Sequence, residues 1–249
     1  MKNKILNLKI KNFNYNELLK HLFFFSKKKK KNCYICISNV HSSVESVINK
    51  KFEIAHNNAN FSFSDSRILY FIFKIFRVDR IDYISGWDIT DKICKIASKK
   101  KSKIGVYGST TTILQKFKQK MENKYSGLNI DYLYSPPFNK KNNFSNKQKM
   151  LINKSKIDIL IVSLGCPKQE IWMYNNYKKI NSVLIGLGAG LDYVSGIKKK
   201  PNDFLQKIGI GWMSRLISEP RRLFWRYFST NLLFIFLFFL QITGLKKFK

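Results

Sequence analysis

The chain has 249 residues, with 46 Lys and Arg against 15 Asp and Glu and a formal net charge of +31. That length suits one α/β domain with or without an appendage, and no segment reads as a second domain. Of the four cysteines, Cys33 and Cys36 form a CxxC with no second pair or His cluster nearby, which speaks against a zinc centre; buried thiols in a reducing compartment are expected instead.

From the start of the chain, MKNKILNLKIKNF carries no apolar h-region and no cleavage pattern, so the body of the protein is expected in the cytoplasm. Residues 5–10 alternate as a strand, and 15–25 have the spacing and Asn-led start of a helix. The lysines at 27–31 read as a solvated loop. A strand over 34–38 delivers Asn39 and His41 to its carboxyl end, and Ser42 or Ser43 is placed to cap the next helix. His41 taken alone reads as incidental. Residues 57–66 are polar and then alternate, which brings Asp65 to the end of a short strand. The apolar segment 68–76 contains Lys74 and is too short to span a bilayer, so it reads as a buried or membrane-leaning helix.

After SGWD a helix over 89–97 leads into a strand at 104–107, a turn at Gly108 and Ser109, a helix over 110–125 and a strand over 130–134. Pro136 and Pro137 then open a Lys/Asn-rich loop to about Gln148. The run 157–164 is a buried strand that breaks at Gly165 and Pro167, and a helix pattern opens near Gln169. A second buried strand, 182–187, ends in Gly186, Gly188 and Gly190. Strand, crossover helix and parallel strand at this spacing predict a mainly parallel sheet with helices on both faces, Rossmann-like in class. Ligands of such sheets sit beyond the carboxyl ends of the strands.

The charge favours nucleic acid, anionic lipid or phosphorylated partners, although a compositional bias toward Lys and Asn supplies it equally well. GLGAGLD invites comparison with a dinucleotide fingerprint, but its third glycine is misplaced and DYVSGIKKKP does not continue as an apolar helix. The tail differs in character. Residues 227–245 carry no charge and lie between Arg226 and Lys246, as a membrane span or, by the preferred reading, a helix attached at the interface.

Taken together, GCPKQE, GLGAGLD, SG with a basic-Pro step and WMSRLISEPRRLFWRY closely resemble the WecG/TagA/CpsF family of bacterial glycosyltransferases. ISNVH, Asp65, SGWD, GVYGS and YSPPF fall in the family's order upstream, so the resemblance covers roughly residues 33–228. It implies an inverting transfer of a hexose, typically N-acetylmannosamine, from a UDP-sugar to a hydroxyl on a polyprenyl-diphosphate-linked sugar. It also implies a peripheral protein on the cytoplasmic face of the bacterial inner membrane, with residues 1–200 as catalytic core and 201–249 as appendage. The rival class is a basic nucleic-acid-binding protein, against which stands the absence of an RNA-binding motif. A homo-oligomer is compatible with the chain.

By that resemblance Asp65 is the base, Asn39 orients it or the donor sugar, and Arg222 acts on the departing diphosphate. Substrate contacts are expected from Gly86, Asp88, Gly165, Pro167, Gln169, Glu170, Gly186, Gly188 and Asp192, and from Arg215, Arg221 and Arg226. No metal and no cofactor are expected, since no DxD stands at a strand end. Four positions depart from the family pattern: Ile37 for Thr, Ser66 for Gly, Tyr83 for Arg and Gly211 for Glu. Arg80 stands near Tyr83 in sequence.

Overall fold

The structure is a computed structural model that describes residues 4–11, 14–78, 82–137 and 145–248, apart from the side chain of Arg222. In chain order the elements are β1 (Lys4–Ile5), β2 (Leu8–Lys9), α1 (Tyr15–Ser26), β3 (Tyr34–Ser38), α2 (Val40–Ile48), α3 (Lys50–Asn57), β4 (Phe61–Ser64), α4 (Arg67–Ile75) and α5 (Gly86–Lys100). They continue with β5 (Lys103–Gly108), α6 (Thr111–Lys124), β6 (Asn129–Tyr134), α7 (Asn146–Lys154), β7 (Ile159–Ser163) and α8 (Lys168–Asn176). The chain ends with β8 (Val183–Gly186), α9 (Gly190–Val194), α10 (Asp203–Lys207), α11 (Trp212–Ser218) and α12 (Pro220–Ile242).

Six strands form one sheet in the order β4-β3-β8-β7-β5-β6, and every pair in it is parallel. Its central strands are apolar on both faces, as a doubly covered parallel sheet requires. On β7, Ile159 and Ile161 join the cluster formed with Leu22, Ile93 and Phe117. The alternate residues Leu160 and Val162 face Trp172, Met173 and Ile152 in a second cluster. The mainly parallel α/β fold is thus as the alternation of elements predicts.

Local differences have identifiable causes. Residues 5–10 are not one strand but the antiparallel hairpin β1–β2, because Leu6 takes a left-handed turn at φ 53° that lets Ile5, Leu6, Leu8 and Ile10 all be buried. Neither Ser42 nor Ser43 is the N-cap of α2. Asn39 caps it, with its side chain accepting from Ser42 N–H, while Ser42 completes a capping box. Helix α7 begins inside the stretch read as loop, and its capping box of Ser145 and Gln148 is the S-x-x-Q signal that locates it.

The tail is a single long helix. Pro220 occupies its first turn, and Leu223, Phe234 and Leu237 are buried. Phe234 and Leu237 share a third cluster with Ile5, Leu8, Phe52 and Phe73. Gln241 Oε1 accepts from the Leu6 N–H at 2.8 Å, so the tail is seated on the amino-terminal hairpin. Leu223–Ile242 is nevertheless long and apolar enough to cross a membrane. Its outer face leaves Trp225, Phe228, Leu232, Ile235, Phe236 and Phe239 exposed, and Phe71, Ile75 and Phe76 of the α4 region extend the exposed apolar surface. The Phe76 and Phe238 rings meet at 6.3 Å. An apolar helix with one face packed and the other open fits a membrane-associating appendage.

Candidate active site

A cavity of about 530 Å³ opens over the carboxyl ends of the sheet. Strand β3 leads to Asn39, β4 to Asp65, β7 to Ser163 and Gly165, and β8 to Gly186 and Gly188; all of these line it, together with Gly86 at the start of α5. Asp192 and Gln169 line it as well, and the tail closes one side with Arg215, Arg226, Trp212 and Tyr227. The break between α11 and α12 at Glu219 and Pro220 does not keep Arg215 from this wall.

Asp65 is held by its backbone, whose N–H donates to the Ser38 carbonyl at 3.1 Å. It does not cap α4: the hydroxyl of Ser66 does, accepting from the Leu69 N–H. Ser66 does this at φ −99°, so the turn needs no glycine at that position. Burial pushes the Asp65 carboxyl up to about 6, against the opposing pull of the Arg215 guanidinium and a hydrogen bond from the Asn39 side chain. Asn39 therefore serves both the helix cap and the acid.

Gln169 and Glu170 lie in the first turn of α8, which opens at Lys168 without a side-chain cap. Gln169 Nε2 donates to Glu170 Oε1 at 2.8 Å. Gly186 makes room for that amide: a Cβ there would stand 2.9 Å from Met173 Cε and 3.1 Å from Gln169 Nε2. Glu170 is fully buried and does not reach the cavity wall, so direct substrate contact, expected from its place in GCPKQE, is not where the fold puts it. Burial raises its carboxyl to about 7, opposed by the Gln169 hydrogen bond.

Other expected contacts also lie off the wall. Asp88 is hydrogen-bonded to Ser85 Oγ at 2.5 Å and stands 3.6 Å from Lys200 Nζ, serving the start of α5. Pro167 supports the turn before α8, and Arg221 is exposed on α12; neither lines the cavity. Asp192 pairs with Lys198 Nζ at 2.7 Å, and Lys198 also pairs with Glu219, which ties the tail to the β8 turn. Arg222 lies in α12, but its side chain is outside the described residues, as is Arg80.

Among the wall residues that escape the sequence reading are Arg67 and His41. Arg67 follows Ser66 directly; its Nε donates to the Gln206 carbonyl at 3.3 Å and its guanidinium sits 4.0 Å over the Tyr83 ring, so a guanidinium stands beside the position where the family pattern has Arg. His41, set aside as incidental, lines the cavity, and burial with the neighbouring Arg226 holds it down at about 4, neutral in the physiological range. Gly211 opens α11 without a side-chain cap. Among the described residues no group of three or more His, Cys, Asp or Glu is placed to hold a metal ion.

An open parallel sheet with an acid of raised pKa and three arginines, Arg67, Arg215 and Arg226, at its carboxyl edge has the architecture of an α/β enzyme. The model of the glycosyl transferase WecG/TagA/CpsF family matches residues 3–248, and the chain belongs to that family. It is 25% identical over 201 residues to the N-acetylglucosaminyldiphosphoundecaprenol N-acetyl-beta-D-mannosaminyltransferase of Bacillus spizizenii, covering 79% of this chain and 74% of the relative. It is 30% identical over 141 residues to the protein of that name from Bacillus subtilis, covering 56% and 53%, and 24% identical over 144 residues to that from Staphylococcus aureus strain MW2, covering 56% and 54%. The matches to the last two thus span about half of each relative.

Proposed function

We propose that this glycosyltransferase moves N-acetylmannosamine from its UDP-sugar to a hydroxyl of a polyprenyl-diphosphate-linked sugar, with inversion, at the cytoplasmic face of a bacterial inner membrane. The relatives' names support the sugar and the lipid acceptor. The observation that carries the chemistry is Asp65: an acid with some remaining access to the cavity, raised to about 6 by burial, is ionised at neutral pH and basic enough to take a proton. The acceptor hydroxyl gives its proton to the Asp65 carboxylate as its oxygen bonds to the anomeric carbon. The bond from that carbon to the diphosphate oxygen breaks on the opposite side, and UDP leaves with the electron pair.

Asn39 holds the carboxylate in place through its side-chain hydrogen bond. Arg215 and Arg226, whose buried Nε atoms lack partners, meet the charge that develops on the diphosphate. Arg222 is proposed to join them. No metal is required in this scheme, because the cations are guanidinium groups of the chain itself.

The test is turnover of UDP-N-acetylmannosamine with an N-acetylglucosaminyl-diphospho-lipid acceptor. Asp65→Asn is expected to cut turnover by about 10² or more and to keep donor affinity within a few-fold. Wild-type turnover should rise with pH through about 6 and then level, since the base acts only when ionised, and the variant's residual rate should lack that step. Normal turnover in Asp65→Asn would sink the assignment.

A further inference from the structure

Glu170 is an acid with 0% exposure and, among the described residues, no Lys or Arg pairs with it. Its contact with Gln169 explains what it is for. Gln169 is itself only 5% exposed, packed over the bare backbone of Gly186. One end of the amide is committed, Nε2 donating to the carboxylate at 2.8 Å. The other end, Oε1, is buried without a partner. It lies 3.6 Å from where a Cβ of Gly188 would stand, closer than Nε2 at 4.0 Å, and Gly188 and Gln169 both line the cavity.

An ionised carboxylate only accepts hydrogen bonds. Turning the amide over would set oxygen against oxygen and abandon the bond at 2.8 Å, so wherever Glu170 is ionised, that is above about pH 7, it fixes which end of the amide faces Gly188; its second oxygen, Oε2, is buried without a partner. We infer that Glu170 is a positioning residue that acts through Gln169: it holds an acceptor-only oxygen beside Gly188, and the cavity thereby selects a ligand bringing an N–H or O–H to that point. This rests on the nucleotide-sugar reading above. The donor group belongs either to the nucleotide, as the uracil N–H or a ribose hydroxyl, or to the sugar, as a hydroxyl or the acetamido N–H. A buried acceptor that lacks its donor is costly, which is why such a group discriminates.

The experiment is calorimetric titration of the full chain with UDP and with UDP-N-acetylmannosamine at pH 8.5, where the carboxylate is ionised. Glu170→Gln keeps the shape of the side chain but offers Gln169 either a donor or an acceptor, so the amide loses its fixed orientation. Affinity is expected to fall about tenfold, with a raised donor KM and a much smaller effect on kcat. Gln169→Ala should weaken binding as much, and the double variant should be no weaker than Gln169→Ala alone, because Glu170 acts only through the amide. A loss already seen with UDP places the donor group on the nucleotide, and a loss confined to the sugar nucleotide places it on the sugar; either supports the inference.

Undiminished affinity of Glu170→Gln for both ligands overturns it, as does a cycle in which the two losses add. Wild-type protein that binds neither ligand overturns the nucleotide-sugar reading along with it. Melting curves check the fold of each variant. Should Glu170→Gln not fold, Glu170→Asp makes the same comparison, with the acceptor drawn back by one methylene.

Discussion

Two polar clusters at opposite ends of the parallel sheet, Asp158 at one and the cavity wall at the other, are treated in opposite ways. At the amino end, Asp158 just before β7 has each oxygen engaged: Oδ1 accepts from Lys31 Nζ at 2.8 Å and Oδ2 from the Lys103 N–H at 3.0 Å. At the carboxyl end, Gln169 Oε1 and the Nε atoms of Arg215 and Arg226 are buried with no partner, and Asp65 is lifted to about 6. Buried polar groups are normally satisfied, since each orphan costs about 1–3 kcal/mol. Other orphans lie away from the cavity, Ser102 Oγ just before β5 among them, but the ones on the cavity wall are those a ligand can satisfy, and the contrast that matters is between Asp158 and that wall.

The sharpest way to break that comparison is to remove an orphan cation. Arg215→Ala takes away the guanidinium that both lines the cavity and bears on Asp65. Turnover should drop by about 10² or more, the scale for losing a charge-assisted contact to a developing anion. Wild-type turnover should persist in EDTA if, as proposed, guanidinium groups rather than a metal carry the diphosphate charge. Loss of turnover with the chelator, regained with magnesium, would count against the arginine wall, as would an Arg215→Ala enzyme of normal rate.

How far this contrast was legible in the sequence differs between its parts. Strand–helix alternation and the double-sided apolarity of 157–164 and 182–187 are local patterns, and they foretell the sheet and the edge over which the cavity opens. Asp65, Asn39 and Gln169 stand in motifs whose neighbours are near in sequence, and the fold places all three on the cavity wall. What was not legible depends on contacts between distant segments. Nothing local distinguishes Glu170 as a buried brace from Glu170 as a substrate contact, because the difference is made by burial under tertiary packing. Lys198 joins Asp192 to Glu219, and Arg67 reaches Gln206 and Tyr83; no periodicity encodes either. The hairpin β1–β2 hides behind an alternating pattern because a single residue, Leu6, takes positive φ.

The tail offers a second contrast within one helix, between the buried face of α12 and its open one. Phe234 and Leu237 pack among Ile5, Phe52 and Phe73, so cutting the chain after Tyr227 would open the third core cluster as well as detach the protein. Ile235, Phe236 and Phe239 stand 64%, 57% and 54% exposed, and replacing all three by Gln separates the two roles. Partition onto anionic vesicles should fall about tenfold or more from lost apolar insertion, the melting temperature should move little, and turnover on a short-chain soluble acceptor should be kept. Vesicle binding that survives the triple change would move the attachment to the basic residues.

The smallest effect is expected at Asp158, whose two oxygens are both engaged, and it tests the contrast most directly. Asp158 lies at the opposite end of β7 from Ser163, five residues or roughly 16 Å away at strand rise. Asp158→Ala strands the Lys103 N–H and frees Lys31, at a cost of about 1–3 kcal/mol that lowers the melting temperature by several degrees in a chain of this size. Asp158→Asn keeps an oxygen for the Lys103 N–H and loses only the ion pair, so it should melt between wild type and Asp158→Ala. Turnover per folded molecule should stay within about twofold in both, because neither change alters a group that lines the cavity; the scale of two is that of ordinary surface substitutions. A large loss of turnover at unchanged melting temperature would show the two ends coupled through β7, and the contrast between Asp158 and the cavity wall would fail there.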